Sequence, residues 1–243
     1  MTSIHNLNPN VVKEAKRLAS PPKVCLEKLD EYDIQWLLVK ELKLKETHFK
    51  QKQSNVKNVN VDAELWEFIL EKVKDELPLP VHKTGGNYFR TTTPFVVHTD
   101  TPHEKNIIPY KNILIPLTTD SENCYTIMLT QRHYGVGAHF LKSDRYNHFT
   151  PDKNIKITDY THLEHYTNKN IDKKLYEQYL THMPYDNLHG LSIETVIKWK
   201  VGDIIFFDST QLHCSNNFKS ETPKEKHALS LFTNLGILNE NHV

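Results

Sequence analysis

From Leu77 onward the sequence is cut into short β-rich runs, and this punctuation limits the possible folds more than any other feature. Pro78-Leu79-Pro80 and then Gly85-Gly86 break the helical pattern that precedes them. The runs that follow, NYFRTTT, PFVVHTD, KNILIPLTT and CYTIMLTQ, are rich in β-branched and aromatic residues. After a polar, His- and Tyr-rich middle the same character returns in TVIKWK, GDIIFFDS and HALSLFTNLGI. Parallel strands need a crossover of helical length between them, and no β-α-β alternation is present. Short strands joined by turns therefore predict an antiparallel sandwich or barrel of the jelly-roll or cupin kind.

The first third reads differently. Val11, Val12, Ala15 and Leu18 recur at helical intervals, the stretch from Leu26 to Leu42 is apolar-rich, and Asp62 is placed to cap a helix carrying Leu65, Trp66, Ile69, Leu70 and Val73. Such helices need a surface to cover, so the expected class is α+β, a β core with N-terminal helices packed on one face. At 243 residues the chain can bury one good-sized core. A single domain over 1–243 is expected, mainly helical over 1–77 and β-rich over 78–243. A long insertion falls at about 141–192, with a short helix from Lys173 to Leu180. Within it, Tyr160 to Tyr166 reads equally as a lid over a site or as solvated chain.

Charge excludes some functions. Lys plus Arg and Asp plus Glu stand at 30 each, so nothing favours a nucleic-acid partner. Cys25, Cys124 and Cys214 are odd in number, scattered and never spaced C-x-x-C, which predicts neither disulfides nor a thiolate zinc site and suits a reducing compartment. The N-terminus lacks an apolar stretch of signal-peptide length, and no run approaches the roughly 18 apolar residues of a membrane span. A cytoplasmic protein without a membrane partner is the expectation.

The chemistry is carried by His98-Thr99-Asp100. On extended backbone two side chains two residues apart emerge on the same face, where an imidazole and a carboxylate can reach one ion. Together with one distant His they make a 2-His-1-carboxylate triad, which leaves open positions on Fe(II). The distant His is His213, in the loop Asp208 to His213 that follows the buried strand Ile204 to Phe207. Further on, Lys226, Ala228, Ser230 and Phe232 alternate onto one face. An inward Lys226 implies a bound anion or an acidic neighbour, because an unpaired buried charge is costly.

These residues resemble the Fe(II)/2-oxoglutarate-dependent dioxygenases, and among them the prolyl-hydroxylase-like branch. The resemblance spans roughly Tyr88 to Leu235. It rests on His98-x-Asp100, the strand GDIIFFD, His213 and the basic residue opening the next strand. It implies a double-stranded β-helix, His98, Asp100 and His213 as the Fe(II) ligands and catalytic centre, and 2-oxoglutarate as cosubstrate with dioxygen. It further implies that Lys226 holds the far carboxylate of 2-oxoglutarate, with Ser230 as hydroxyl partner and Tyr88 lining the cosubstrate pocket. Lys224 is the alternative to Lys226. The implied reaction is oxidative decarboxylation to succinate and CO2 coupled to hydroxylation of a C–H bond in a small-molecule or peptide substrate. From the residues alone, Zn(II), Mn(II) or Ni(II) also suit the ligands. A non-catalytic jelly-roll binding module and a metal-dependent cupin enzyme without 2-oxoglutarate remain open as alternatives.

Overall fold

The computed structural model describes residues 7–49, 54–59, 62–77, 79–102, 104–119, 123–141, 155–218 and 225–238. Three helices and three strands alternate at the start: α1 (Pro9–Arg17), β1 (Lys23–Cys25), α2 (Glu31–Leu42), β2 (Glu46–Phe49), β3 (Ser54–Asn58) and α3 (Ala63–Val73). Each helix has a local reason to begin where it does. Asn8 accepts from the Asn10 amide with Pro9 in the first turn, Asp30 and Asp33 form a reciprocal capping box, and the Asp62 carboxylate accepts from the Leu65 amide. Next come β4 (His82–Thr91), β5 (Ile107–Thr119), β6 (Tyr125–Arg132), β7 (Ala138–Phe140) and β8 (Ile155–Ile157). A helical turn α4 (Lys173–Leu175) runs into a wider turn over Tyr176–Leu180, followed by β9 (Ile193–Lys198), β10 (Ile204–Asp208), β11 (Gln211–Ser215) and β12 (Lys226–Ile237).

The strands form a seven-stranded sheet, β1-β10-β5-β12-β4-β3-β2, and a three-stranded sheet, β11-β6-β9, both antiparallel in every pairing, while β7 and β8 pair in parallel. In the large sheet β12 lies between β4 and β5. The N-terminal third is less helical than expected, since β1 pairs with β10, and β2 and β3 extend the sheet beyond β4. Their sequences explain the omission: KVC is very short, and SNVKN, between β4 and the edge strand β2, carries one apolar residue among four polar ones.

Alternation divides the large sheet into two faces. Ile113, Ile115 and Leu117 of β5, Ile204 and Phe206 of β10, and Leu229 and Leu231 of β12 share a buried cluster with Ile34 and Leu37 of α2 and Leu65, Trp66, Ile69 and Val73 of α3. The intervening residues Leu114, Ile205, Phe207 and Ala228 meet Met128 of β6, Ile197 of β9 and Trp199 in a separate cluster. His227 follows the first set, its Nε2 lying 3.0 Å from Glu41 Oε2 on α2.

A third cluster covers the small sheet. Ile127, Leu129 and Leu212 pack there with Phe140, Tyr160, Leu163, Leu180, Met183 and Leu188. Residues 155–192 of the expected insertion thus send scattered apolar side chains into the core, while most of the residues between them are exposed or half-buried. Tyr160 is fully buried, with its ring 5.8 Å from that of Phe140. Within Tyr160 to Tyr166, Tyr160 and Leu163 are buried in this cluster whereas Thr161, His162 and His165 are exposed, and none of the seven lines the cavity between the two sheets. Among the described residues no helix is long and apolar enough to cross a membrane.

Behind the β10–β11 turn lies a buried charge network. The Asp208 carboxylate accepts from Lys111 Nζ, from Arg132 Nε at 3.1 Å and Nη2 at 3.0 Å, and from the Ser20 amide at 3.0 Å. Ser20 also accepts from both cations, through its hydroxyl from Lys111 and its carbonyl from Arg132. One carboxylate therefore ties β5, β6 and β10 to the segment after α1. Removing it strands two buried cations, so Asp208→Ala should lose about 3–5 kcal/mol of stability in urea unfolding monitored by circular dichroism. A loss under about 1 kcal/mol would show the network to be solvated.

Candidate metal centre

His98 and His213 are brought together by the backbone. Each donates its amide to the other's carbonyl at 3.0 Å, a two-residue bridge between distant segments. The expected PFVVHTD strand is reduced to this: the chain is extended there, but His98 alone is bridged, to His213 and to His139. His213 sits on β11 and not in a loop, next to a register shift between Gln211 and His213. Irregularities of this kind re-aim side chains beside functional sites.

The imidazoles are held in one tautomer. His98 Nδ1 lies 2.7 Å from the Val96 carbonyl, and His213 Nδ1 lies 3.0 Å from the Gln211 carbonyl. A carbonyl only accepts, so each Nδ1 carries the proton and each Nε2 presents a lone pair, the arrangement a metal-binding imidazole needs. His213 Nε2 stands 3.2 Å from Asp100 Oδ2, and His98 Nε2 stands 3.9 Å from Asp100 Oδ1. One ligand atom from each of His98, Asp100 and His213 falls within 4.8 Å of the others. Ligands about 2.1 Å from one ion at right angles stand about 3 Å apart, so small adjustments close this group on a metal. Burial alone would raise the Asp100 carboxyl, but when the imidazoles are protonated at Nε2 as well, the hydrogen bond from His213 and the charges of His213, His98 and His139 outweigh it and hold the group below its usual value; a metal would take the place of those Nε2 protons.

The cluster lines a cavity of about 470 Å³ between the two sheets. Strand register places Lys226, Thr126 and Ser215 toward one end and Gly85 and Phe232 toward the other. Lys226 is 1% exposed and makes no ion pair with any described residue. Its ammonium donates to the Tyr125 carbonyl at 2.5 Å and lies 4.2 Å from the centre of the Trp199 ring. Burial pushes its pKa down to about 8, partly offset by the neighbouring Cys124 and Cys214. Carbonyl and aromatic faces thus take the place of the acidic neighbour that sequence allowed. Lys224 lies outside the described residues.

Two expected residues are placed otherwise. Tyr88 pairs with Leu229 and shares its orientation, so its ring enters the cluster under α2 and α3 and its hydroxyl donates to the Leu37 carbonyl at 2.8 Å. It does not line the cavity; its neighbours Asn87 and Phe89 do. Ser230 does line the cavity, but four residues of extended strand separate it from Lys226 by about 13 Å, too far to share one carboxylate.

Sequence reasoning missed Thr126. Its hydroxyl accepts from Trp199 Nε1 at 2.7 Å, which leaves its own proton to be donated, and it follows the residue whose carbonyl holds Lys226. The signal was present as a polar residue in step with Met128 on an apolar strand. His139 is a further cavity residue that sequence reasoning did not single out. It lies outside the ligand group yet lines the cavity, its ring stacked on His98 at 5.7 Å. His133 sits apart from the cavity, its pKa depressed to about 4 by burial and by His162.

The lowered pKa of Lys226 has a signed consequence for stability. Between about pH 8 and the unfolded value near 10.5, the unfolded chain binds the proton that the folded chain has released, so stability rises with pH there. Lys226→Met should therefore be more stable than wild type at pH 7, with an advantage in melting temperature that shrinks toward pH 10. An advantage that is constant or grows with pH would contradict a buried, destabilising ammonium.

No protein-family model matches the chain, and no curated protein does. Solved structures do match its fold. EctD from S. alaskensis, with 2-oxoglutarate and 5-hydroxyectoine, superposes with a TM-score of 0.52 at 12% identity, covering 96% of this chain and 78% of that one. HygX from Streptomyces hygroscopicus, with nickel and 2-oxoglutarate bound, gives 0.51 at 10% identity over 96% and 89%. The non-heme alpha-ketoglutarate-dependent carbocyclase SnoK from nogalamycin biosynthesis gives 0.50 at 12% identity over 96% and 86%. The chain has the jelly-roll fold of the 2-oxoglutarate/Fe(II) oxygenases.

Proposed function

We propose that this protein is an Fe(II)- and 2-oxoglutarate-dependent dioxygenase built on a double-stranded β-helix whose large sheet the N-terminal helices cover. In the proposed reaction 2-oxoglutarate and dioxygen yield succinate and CO2, and one oxygen atom enters a C–H bond of the substrate as a hydroxyl. The observation that carries the reading is the buried, acid-free Lys226 in the same cavity as the His98, Asp100 and His213 ligand group. A lysine kept in such a place without an acid is explained by an anionic ligand, and a dicarboxylate joining metal and ammonium is the economical one.

The roles follow from the geometry. The Nε2 atoms of His98 and His213 and the Asp100 carboxylate would hold the ion on one side, leaving the remaining positions open. Lys226, with the Thr126 hydroxyl beside it, would receive the far carboxylate of 2-oxoglutarate. The apolar walls Phe207, Leu114 and Trp199 exclude water along that path. Bound iron supplies the activation of dioxygen, and the chain supplies orientation. Thr84, Gly85, Asn87 and Phe232 at the other end are uncharged and suit a neutral portion of a small-molecule or peptide substrate.

Lys226 also favours this reading over a cupin enzyme that dispenses with 2-oxoglutarate, because such an enzyme has no use for the cation. Anaerobic protein with Fe(II) and 2-oxoglutarate should show the weak visible metal-to-ligand charge-transfer band, and His98→Ala should lose it. Titrating 2-oxoglutarate into the band, Lys226→Met should weaken binding about 10- to 100-fold, the loss of a charged hydrogen bond, and Thr126→Val about 3- to 10-fold, the loss of a neutral one. Intact iron binding without the band, or unchanged affinity in Lys226→Met, would refute the assignment.

A further inference from the structure

We propose that Asn112 is a positioning residue for Asp100, holding the carboxylate in its ligating orientation before an ion arrives. The inference rests on the metal centre proposed above. Asn112 sits on β5, flanked by Phe207 on β10 and Phe232 on β12, and is fully buried. Its Nδ2 donates to Asp100 Oδ2 at 2.8 Å. The other end of Asp100 is also held, its backbone amide donating to the Ser209 carbonyl at 3.2 Å.

The opposite end of the Asn112 amide shows why the residue is there. Oδ1 is buried and accepts no hydrogen bond from any described residue. An unpaired buried amide oxygen is a standing cost that an apolar side chain would avoid, and the inward residue two positions on is Leu114. Turning the amide over would bring Oδ1 against an ionised carboxylate, which repels it. The strand therefore tolerates an orphan acceptor in order to place an NH2 group on Asp100. With Oδ2 engaged, the carboxylate cannot swing away from the two imidazoles, and the ligand group stays assembled in the metal-free protein.

The test is Mn(II) affinity, followed by electron paramagnetic resonance on the full chain, alongside thermal unfolding in chelator. Asn112→Leu should weaken Mn(II) binding about 10- to 100-fold while its metal-free melting temperature equals or exceeds that of wild type. Asn112→Ser, which keeps a donor, should fall between the two in affinity. In an Asp100→Ala background the same Leu change should add nothing further. The proposal is overturned by unchanged affinity in Asn112→Leu, by a loss that tracks a fall in melting temperature, or by an equal loss without Asp100. Should Asn112→Leu fail to fold, Asn112→Ser with and without Asp100→Ala carries the same comparison. Wild-type protein that binds no Mn(II) would bring down the metal centre as well, whereas tight binding by wild type and the Leu variant alike would sink the Asn112 proposal alone.

Discussion

Alternation along the central stretches of three neighbouring strands is the constraint on which the rest of this structure depends. In β5, β10 and β12 every second side chain enters the cluster under α2 and α3, and the ones between face the other sheet. The two environments differ in kind: one is wholly apolar apart from a few tied groups, and the other contains the cavity. A one-residue slip of β12 would exchange Lys226 for His227 and Ser230 for Leu229 or Leu231. The helices therefore set the register of the site without touching it. Burying Leu229 and Leu231 on one side forces Lys226 inward on the other.

That coupling explains what was legible beforehand. His98, Asp100 and Lys226 could be read because parity within one extended segment follows from the sequence alone. His213 could be read because a buried strand runs directly into it. Tyr88 could not, since its face depends on pairing with Leu229, and cross-strand register is not written in either strand. Ser230 has the right parity at the wrong distance, a matter of length that alternation does not report. Thr126 was obscured by apolar neighbours: it is one polar residue in a strand that otherwise reads as core. The edge strand β2 and its neighbour β3 escaped notice because both are short and mostly polar, and the described part of the insertion read as solvated because its buried residues are scattered among many polar ones.

The charged groups show two ways of keeping ions inside a protein. Asp208 is surrounded by Lys111, Arg132 and Ser20, so its burial is compensated locally and it serves as a joint. Among the described residues Lys226 meets a carbonyl and aromatic faces and no acid, and burial loosens its proton. The first arrangement is finished without a ligand. Under the proposed assignment the second is relieved by an anionic ligand, which would link occupancy of the cavity to stability of the fold.

The position of β12 bears on how the chain is made. It is the last described strand in sequence, yet it lies between β4 and β5 in the middle of the large sheet. During synthesis β4 and β5 emerge long before the strand that joins them, each with an unfilled hydrogen-bonding edge. For that interval the growing polypeptide carries a gap of one strand's width, open to any extended segment, including the β12 of another copy. Pairing with β12 closes both of those edges at once.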